Sequence, residues 1–232
     1  MEIFADTNIG KVRKNNEDTC LVRELPDGNA LLLVADGMGG MVRGGLAAKI
    51  VRDYFSTVEL PEKPDAAELV KQAHLCLLDE IRKDITLRDT GTTAVCAWIV
   101  DDKMYWGNSG DSRLYLWRDN YLQQITTDHN NAQIGVNSGV FTVEEARVHP
   151  SSGVLNNYLG DYFCSPDGGL ITLKEKDLIL LCSDGLHGEI QAEVLSTLMD
   201  TPSDVGLKGE VLIKTALDAG GADNVTVILA EI

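Results

Sequence analysis

Two hydrophobic patterns alternate along this chain, and the shorter one dominates. Ala30–Val34, Thr92–Val100, Lys103–Trp106, Ser112–Trp117, Tyr121–Ile125, Leu178–Cys182 and Val225–Leu229 are brief runs of aliphatic, aromatic and β-branched residues. Each is bounded by Gly, Asp or Asn, which predicts strands. The four between 92 and 125 are separated only by Asp101-Asp102, Asn108–Asp111 and Asp119-Asn120. Turns that short join antiparallel neighbours, because a parallel crossover needs a dozen residues or more. The spacing therefore predicts a four-strand meander and excludes a doubly wound parallel sheet.

The longer pattern is helical. Between Asp65 and Asp84 apolar residues fall at 66, 69, 70, 73, 77, 78 and 81, one stripe of a helix. Asp65 with Glu68 reads as a capping box, and Pro64 precedes it. Arg43–Phe55, Glu189–Met199 and Asp204–Ala219 are further helices, the last closed by Gly220-Gly221. Thr142 with Glu145 opens a short helix before His149-Pro150, inside a loop-rich stretch from Asp128 to Gly160. No repeat, low-complexity tract or linker interrupts the chain, so residues 1–232 read as one α+β domain.

Charge narrows the function. Against 36 acidic residues stand 20 Lys and Arg, a net charge of −16. A chain of that sign is a poor partner for duplex nucleic acid or anionic lipid, both of which are engaged through Lys and Arg. The longest apolar runs are about six residues, far short of the roughly 20 needed to span a membrane. MEIFADTNIG has neither a basic nor an apolar signal segment. Cys20, Cys76, Cys96, Cys164 and Cys182 are odd in number and form no C-x-x-C pair. They read as reduced thiols, and a cytoplasmic location is expected. His74, His129, His149 and His187 are scattered, which argues against zinc.

The chemistry sits where carboxylates meet apolar strands. Asp36 follows LLLVA and precedes Gly37; Asp184 follows LILLCS; Asp223 precedes Asn224 and VTVIL; Asp111 lies in the turn NSGDS. A bare carboxylate at the end of a buried strand is costly unless a cation neutralises it. Several such ends converging would make an all-oxygen cage suited to Mg²⁺ or Mn²⁺. Taken singly, each Asp also reads as a turn starter. A second cluster, Arg13–Asp18, offers an arginine fork for a phosphate and two acids, Glu17 and Asp18, for ordering metal-bound water. It also reads as a solvated loop. The glycine-rich turn at 37–45 lacks both the P-loop and the dinucleotide spacing.

Seven motifs together carry a resemblance. VRKNNED (12–18), VADGMGG (34–40), DTGTTA (89–94), GNSGDSRLYL (107–116), TTDHN (126–130), LLCSDGL (180–186) and GGADNVTVIL (220–229) occur in the order and spacing of one family. From about Asp6 to Ile232 the chain resembles the metal-dependent protein phosphatases of the type 2C class, in their compact bacterial form. The resemblance implies a four-layer α-β-β-α sandwich of two antiparallel sheets with a metal site between them. It implies that Asp36 bridges two Mn²⁺ or Mg²⁺ ions, Gly37 offers its carbonyl to one, and Asp184 and Asp223 ligate the other. Arg13 then matches the phosphate-holding arginine, Glu17 and Asp18 the acids that order metal-bound water, and Asp111 a ligand of a third, weaker ion shared with Asp184. A water bridging the two ions is the implied nucleophile.

The implied substrates are phosphoserine and phosphothreonine proteins, a Ser/Thr kinase or its targets among them. Ser109, Ser112, Ser183, His129 and His187 are expected to be structural. The chain departs from the family at Met38, where eukaryotic-type members carry histidine, and at Met41, Gly45 and Gly188. Residues 128–160 correspond to the flap beside the cleft. Two other readings stay open: a nearly silent member that binds phosphoproteins as a regulatory module, and a hydrolase of small phosphate esters.

Overall fold

The run Ala30–Ala35 is apolar without a break because its strand is covered on both faces. Leu31 and Leu33 point to one core, with Val51, Phe55, Leu69 and Val70 of two helices; Leu32 and Val34 point to another, with Val95, Leu114, Ile179, Leu181 and Ile228. That two-sided burial defines the middle of a layered sandwich, seen here in a computed structural model that describes residues 1–38 and 43–232. Gly39, Gly40, Met41 and Val42 lie outside the described residues.

The elements follow in chain order. Strands β1 (Glu2–Asn8), β2 (Asp18–Glu24) and β3 (Ala30–Asp36) precede helices α1 (Gly44–Thr57) and α2 (Ala66–Lys83). Strands β4 (Ala94–Val100), β5 (Lys103–Ser109), β6 (Arg113–Arg118) and β7 (Tyr121–Gln124) come next. Short helices α3 (Asn131–Asn137) and α4 (Val143–Val148) lead to β8 (Asp167–Thr172) and β9 (Leu178–Cys182). The chain then runs through α5 (Asp184–His187), α6 (Ala192–Asp200), α7 (Val205–Ala219) and β10 (Val225–Glu231).

Two five-stranded sheets result, ordered β1-β10-β9-β6-β7 and β2-β3-β4-β5-β8, and every pairing is antiparallel. Helices α1 and α2 cover the second sheet. Leu195 of α6 and Leu212, Ile213 and Ala216 of α7 pack on Leu180, Val227 and Leu229 of the first. The expected α-β-β-α layering of an α+β fold is thus observed.

The meander is corrected. β4 pairs with β5 and β6 with β7, but β5 and β6 belong to different sheets. The turn Asn108–Asp111 is short, yet it passes between layers. The free edge of β5 is taken by β8 and that of β6 by β9. Gly110, at φ 116°, allows the abrupt change of direction, and a side chain there would strike Thr93.

Helix caps follow the sequence closely, with one difference. Asp65 accepts from the Glu68 N–H at 3.0 Å, but the Glu68 carboxylate turns to Gln72 and Lys71, so only half the box forms. The complete capping box is at α4, where Thr142 and Glu145 bond reciprocally. All five cysteines are free, and only Cys96 and Cys182 are fully buried. No helix among the described residues is long and apolar enough to cross a membrane.

Candidate metal centre

Antiparallel pairing sets Asp18, at the start of β2, directly opposite Asp36 at the end of β3. In the other sheet β9 ends at Cys182, so Asp184 opens α5 after Ser183, and Asp223 stands two residues before β10. The two sheets are joined here through hydroxyls. Asp18 Oδ2 accepts from Ser183 Oγ and from Thr226 Oγ1, each at 2.7 Å. Asp36, at the end of β3, lies close enough to Asp18 and Asp184 for their charges to act on its carboxyl.

Backbone contacts fix Asp36 further. Its N–H donates to Thr93 Oγ1 at 3.0 Å, and its carbonyl accepts from the Thr93 N–H and the Thr92 hydroxyl. The next residue must be glycine. A Cβ on Gly37 would lie 2.4 Å from the Gly44 carbonyl and 2.6 Å from that of Glu17. Asp111 is buried in its turn, and its carbonyl accepts from His187 Nε2 at 3.0 Å. That bond ties the turn to α5.

Arg13 is exposed on the loop before β2 and donates to Asp223 Oδ2 at 2.6 Å. The loop itself is held by Asn224. Its Oδ1 accepts from the Glu17 N–H at 2.8 Å, and its Nδ2 donates to the carbonyls of Ile9 and Asn15 at 2.8 and 3.0 Å. The structure therefore brings Asp36, Asp184, Asp111, Asp223, Asp18 and Arg13 into one cluster, with Gly37 beside it. Glu17 contributes backbone to the same place, but its carboxylate makes no hydrogen bond or ion pair among the described residues.

The electrostatics of this cluster are adverse for a protein alone. Burial, then the neighbouring charges of Asp18, Asp184, Asp111 and Asp223, hold the Asp36 carboxyl well above the usual range. Burial pushes Asp18 up to about 7 against the opposing bonds from Thr226 and Ser183. Asp184 rises to about 6 by burial and by the charge of Asp223. Asp111 is raised by burial and by Asp184. Four acids cannot all be ionised here without compensating positive charge.

The donor set fits hard divalent cations. Every candidate ligand is an oxygen, and Asp184 Oδ1 is buried with no hydrogen-bond partner. Among the described residues, no three Asp, Glu, His or Cys side chains already converge as a finished cage. Asp223 is drawn to Arg13 instead.

Several residues that build this centre are not legible as functional in the sequence. Ser183, Thr226 and Thr93 hold Asp18 and Asp36 in place, and Asn224 pins the arginine loop. The available signal was adjacency: Ser183 precedes one acid, and Asn224 and Thr226 follow another. His187 donates to the Asp111 carbonyl, and burial lowers it to about 3, so it is a neutral donor. At two departures from the family pattern, Gly45 lies against the Glu17 backbone, and Gly188 donates to the Asp184 carbonyl while accepting from Arg147.

Comparison with known proteins identifies the family. The family model described as protein phosphatase 2C matches residues 10–205. The protein phosphatase PhpP of Streptococcus pneumoniae is 30% identical over 239 residues, covering 100% of this chain and 97% of that one. The crystal structure of the serine/threonine phosphatase Stp1 from Staphylococcus aureus superposes with a TM-score of 0.92 at 32% identity, over 100% of this chain and 94% of the other. The catalytic domain of the phosphatase PstP, solved with two manganese ions, gives 0.86 at 31% identity over 99% and 97% of the two chains. With the motifs, the layered fold and these relatives in agreement, the chain belongs to the protein phosphatase 2C family and is a metal-dependent serine/threonine protein phosphatase.

Proposed function

We propose that residues 1–232 form one catalytic domain that hydrolyses phosphoserine and phosphothreonine esters of proteins with Mn²⁺ or Mg²⁺. Asp36, Gly37, Asp184 and Asp223 would hold two ions, and Asp111 with Asp184 a third. The observation that carries the reading is the buried, unpartnered Asp184 Oδ1 inside a cluster of carboxylates. Bound ions would supply positive charge against the phosphate oxygens and make water acidic near neutral pH.

The protein's own residues supply the rest. Arg13 offers two parallel N–H bonds to a phosphate, which a lysine cannot do. To make them it exchanges its bond to Asp223, an exposed ion pair that costs little to break. Asp18, fixed by Ser183 and Thr226, and Glu17 at the mouth would accept hydrogen bonds from ordered water. Position 38 is Met, so no imidazole is available there to protonate the leaving alkoxide. The five free cysteines support a reducing, cytoplasmic setting, with the phosphoproteins of a Ser/Thr kinase as substrates.

Hydrolysis of phosphothreonine, phosphoserine and phosphotyrosine peptides with Mn²⁺, Mg²⁺ or EDTA tests the proposal. Turnover of the first two with either ion and none in EDTA is expected. Full activity in excess EDTA would overturn it.

A further inference from the structure

Asp184 and Asp223 lie at the same end of neighbouring strands. β9 and β10 are paired as far as Cys182↔Val227, and one further bond, from the Ser183 N–H to the Thr226 carbonyl at 3.1 Å, extends the ladder. Past that bond the two chains part: Asp184 opens α5, and Asp223 stands in the turn between α7 and β10. Strand pairing therefore does not fix the distance between the two carboxylates. They are close all the same, since the charge of Asp223 acts on the Asp184 carboxyl.

A side chain closes the gap. Gly188 donates to the Asp184 carbonyl at 2.7 Å and ends α5, and the next residue, Glu189, turns back toward the turn that carries Asp223. Its Oε1 accepts from the Ala222 N–H at 3.0 Å, and its Oε2 lies where a Cβ on Gly220 would come within 2.7 Å. Both carboxylate oxygens thus rest against the backbone leading to Asp223. Glu189 is half-buried, and among the described residues its carboxylate makes no ion pair and no other hydrogen bond. Ordering so flexible a side chain has an entropic cost, which a charge-assisted bond to the backbone offsets. On the far side the Lys11 N–H donates to the Gly221 carbonyl at 2.7 Å. Among the described residues, Glu189 makes the one hydrogen bond that joins this turn to the segment carrying Asp184.

We propose that Glu189 is a positioning residue for the metal centre. By holding the Ala222 N–H it sets the separation of Asp223 from Asp184, and so the affinity for the divalent ion the two would share. It acts through Asp223 and is not itself a ligand. The proposal rests on the metal-dependent phosphatase reading given above. The bond between Arg13 and Asp223 explains why an anchor is needed. To ligate a metal the Asp223 side chain must leave Arg13, and a backbone held one residue away lets it swing without the turn following.

Three substitutions separate reach from charge. Glu189→Gln keeps the acceptor at the same reach and loses the charge, Glu189→Asp keeps the charge and is one methylene too short, and Glu189→Ala loses both. Isothermal titration calorimetry with Mn²⁺ reads the affinity directly, and turnover of p-nitrophenyl phosphate is followed across the same Mn²⁺ range. Glu189→Ala and Glu189→Asp should each raise the Mn²⁺ dissociation constant roughly tenfold, the usual effect of removing a group that orients a ligand. Their turnover should return at saturating Mn²⁺, because no reacting group is lost. Glu189→Gln should bind Mn²⁺ as the wild type does. In EDTA the variants should melt alongside wild type, since the side chain is only half-buried. If Glu189→Ala melts early, the comparison of Gln with Asp still decides. Wild-type affinity in Glu189→Asp, or an equal loss in Glu189→Gln, overturns the proposal. Failure of the phosphatase reading would show differently, as no Mn²⁺ binding by the wild-type protein, and the inference would fall with it.

Discussion

Arg13 Nη2 and Asp223 Oδ2 lie 2.6 Å apart, joining the loop before β2 to the turn before β10 across 210 residues of sequence. The bond raises the Arg13 pKa further, so the guanidinium is charged at any accessible pH. One residue is the proposed phosphate ligand and the other a proposed metal ligand, so each occupies part of the other's working position. Both side chains are partly exposed, and the pair adds little to stability.

Arg13→Ala should therefore leave the melting temperature within a degree or two while raising KM for a phosphopeptide roughly tenfold, the loss of one charge-assisted contact. Steady-state kinetics with a Mn²⁺ titration check both parts. An unaltered KM would place phosphate recognition elsewhere.

Asn224 should act through the same arginine. Asn224→Asp removes the Nδ2 donor and sets a carboxylate against the Ile9 and Asn15 carbonyls, which frees the loop. Phosphopeptide kcat/KM should fall roughly tenfold or more. In a double-mutant cycle with Arg13→Ala the two losses should not add, because the second substitution finds the contact already gone. Additive losses would mean that Asn224 serves the fold alone.

Asp18 makes a pH-dependent prediction for the metal-free protein. Its folded pKa, about 7, is raised above that of an unfolded Asp. Such a group contributes stability that is fully present below about pH 4 and is lost as pH rises through about 7. Asp18→Asn keeps an acceptor for Ser183 and Thr226 but cannot ionise. In EDTA it should melt several degrees higher than wild type at pH 8, with the gap closing toward pH 5. A pH-independent gap in paired melts would remove the electrostatic explanation.

The Arg113–Asp128 pair should behave in the opposite sense. Against the cost of its burial, the paired guanidinium holds Asp128 below the usual carboxylate range. Its contribution is present above about pH 4 and is lost as pH falls through that lowered value. Asp128→Asn leaves the largely covered Arg113 without its counter-charge, at a cost of about 3 kcal/mol. A fall in melting temperature on the order of 10 °C at pH 7 is expected from calorimetry. A shift under 2 °C would show that water already compensates Arg113.

Much of this protein is decided locally and is legible in its sequence. The continuous apolar runs of β3, β9 and β10 announce strands buried on both faces, and the stripe from 66 to 81 announces α2. The acids at the ends of those runs mark the centre, because an ionised group beside a buried strand has few inexpensive explanations. Other features depend on partners far away in the chain. β1 and β2 are half-exposed, and β8 carries Asp167, Gly168 and Gly169, so none shows a strong pattern. β1 becomes a strand by pairing along β10 from Glu2↔Glu231 to Asn8↔Val225, and β8 by closing the free edge of β5 over Trp106.

The crossing between sheets at Asn108–Asp111 is of the same kind. A four-residue turn specifies a reversal, while the choice of neighbour goes to whichever strand edge is open. Ser183, Thr226 and Asn224 became working parts of the site only when β9 and β10 came to lie beside β2 and the loop before it. A hydroxyl or an amide shows its role through its hydrogen-bond partner, and here each partner lies more than 160 residues away in the chain.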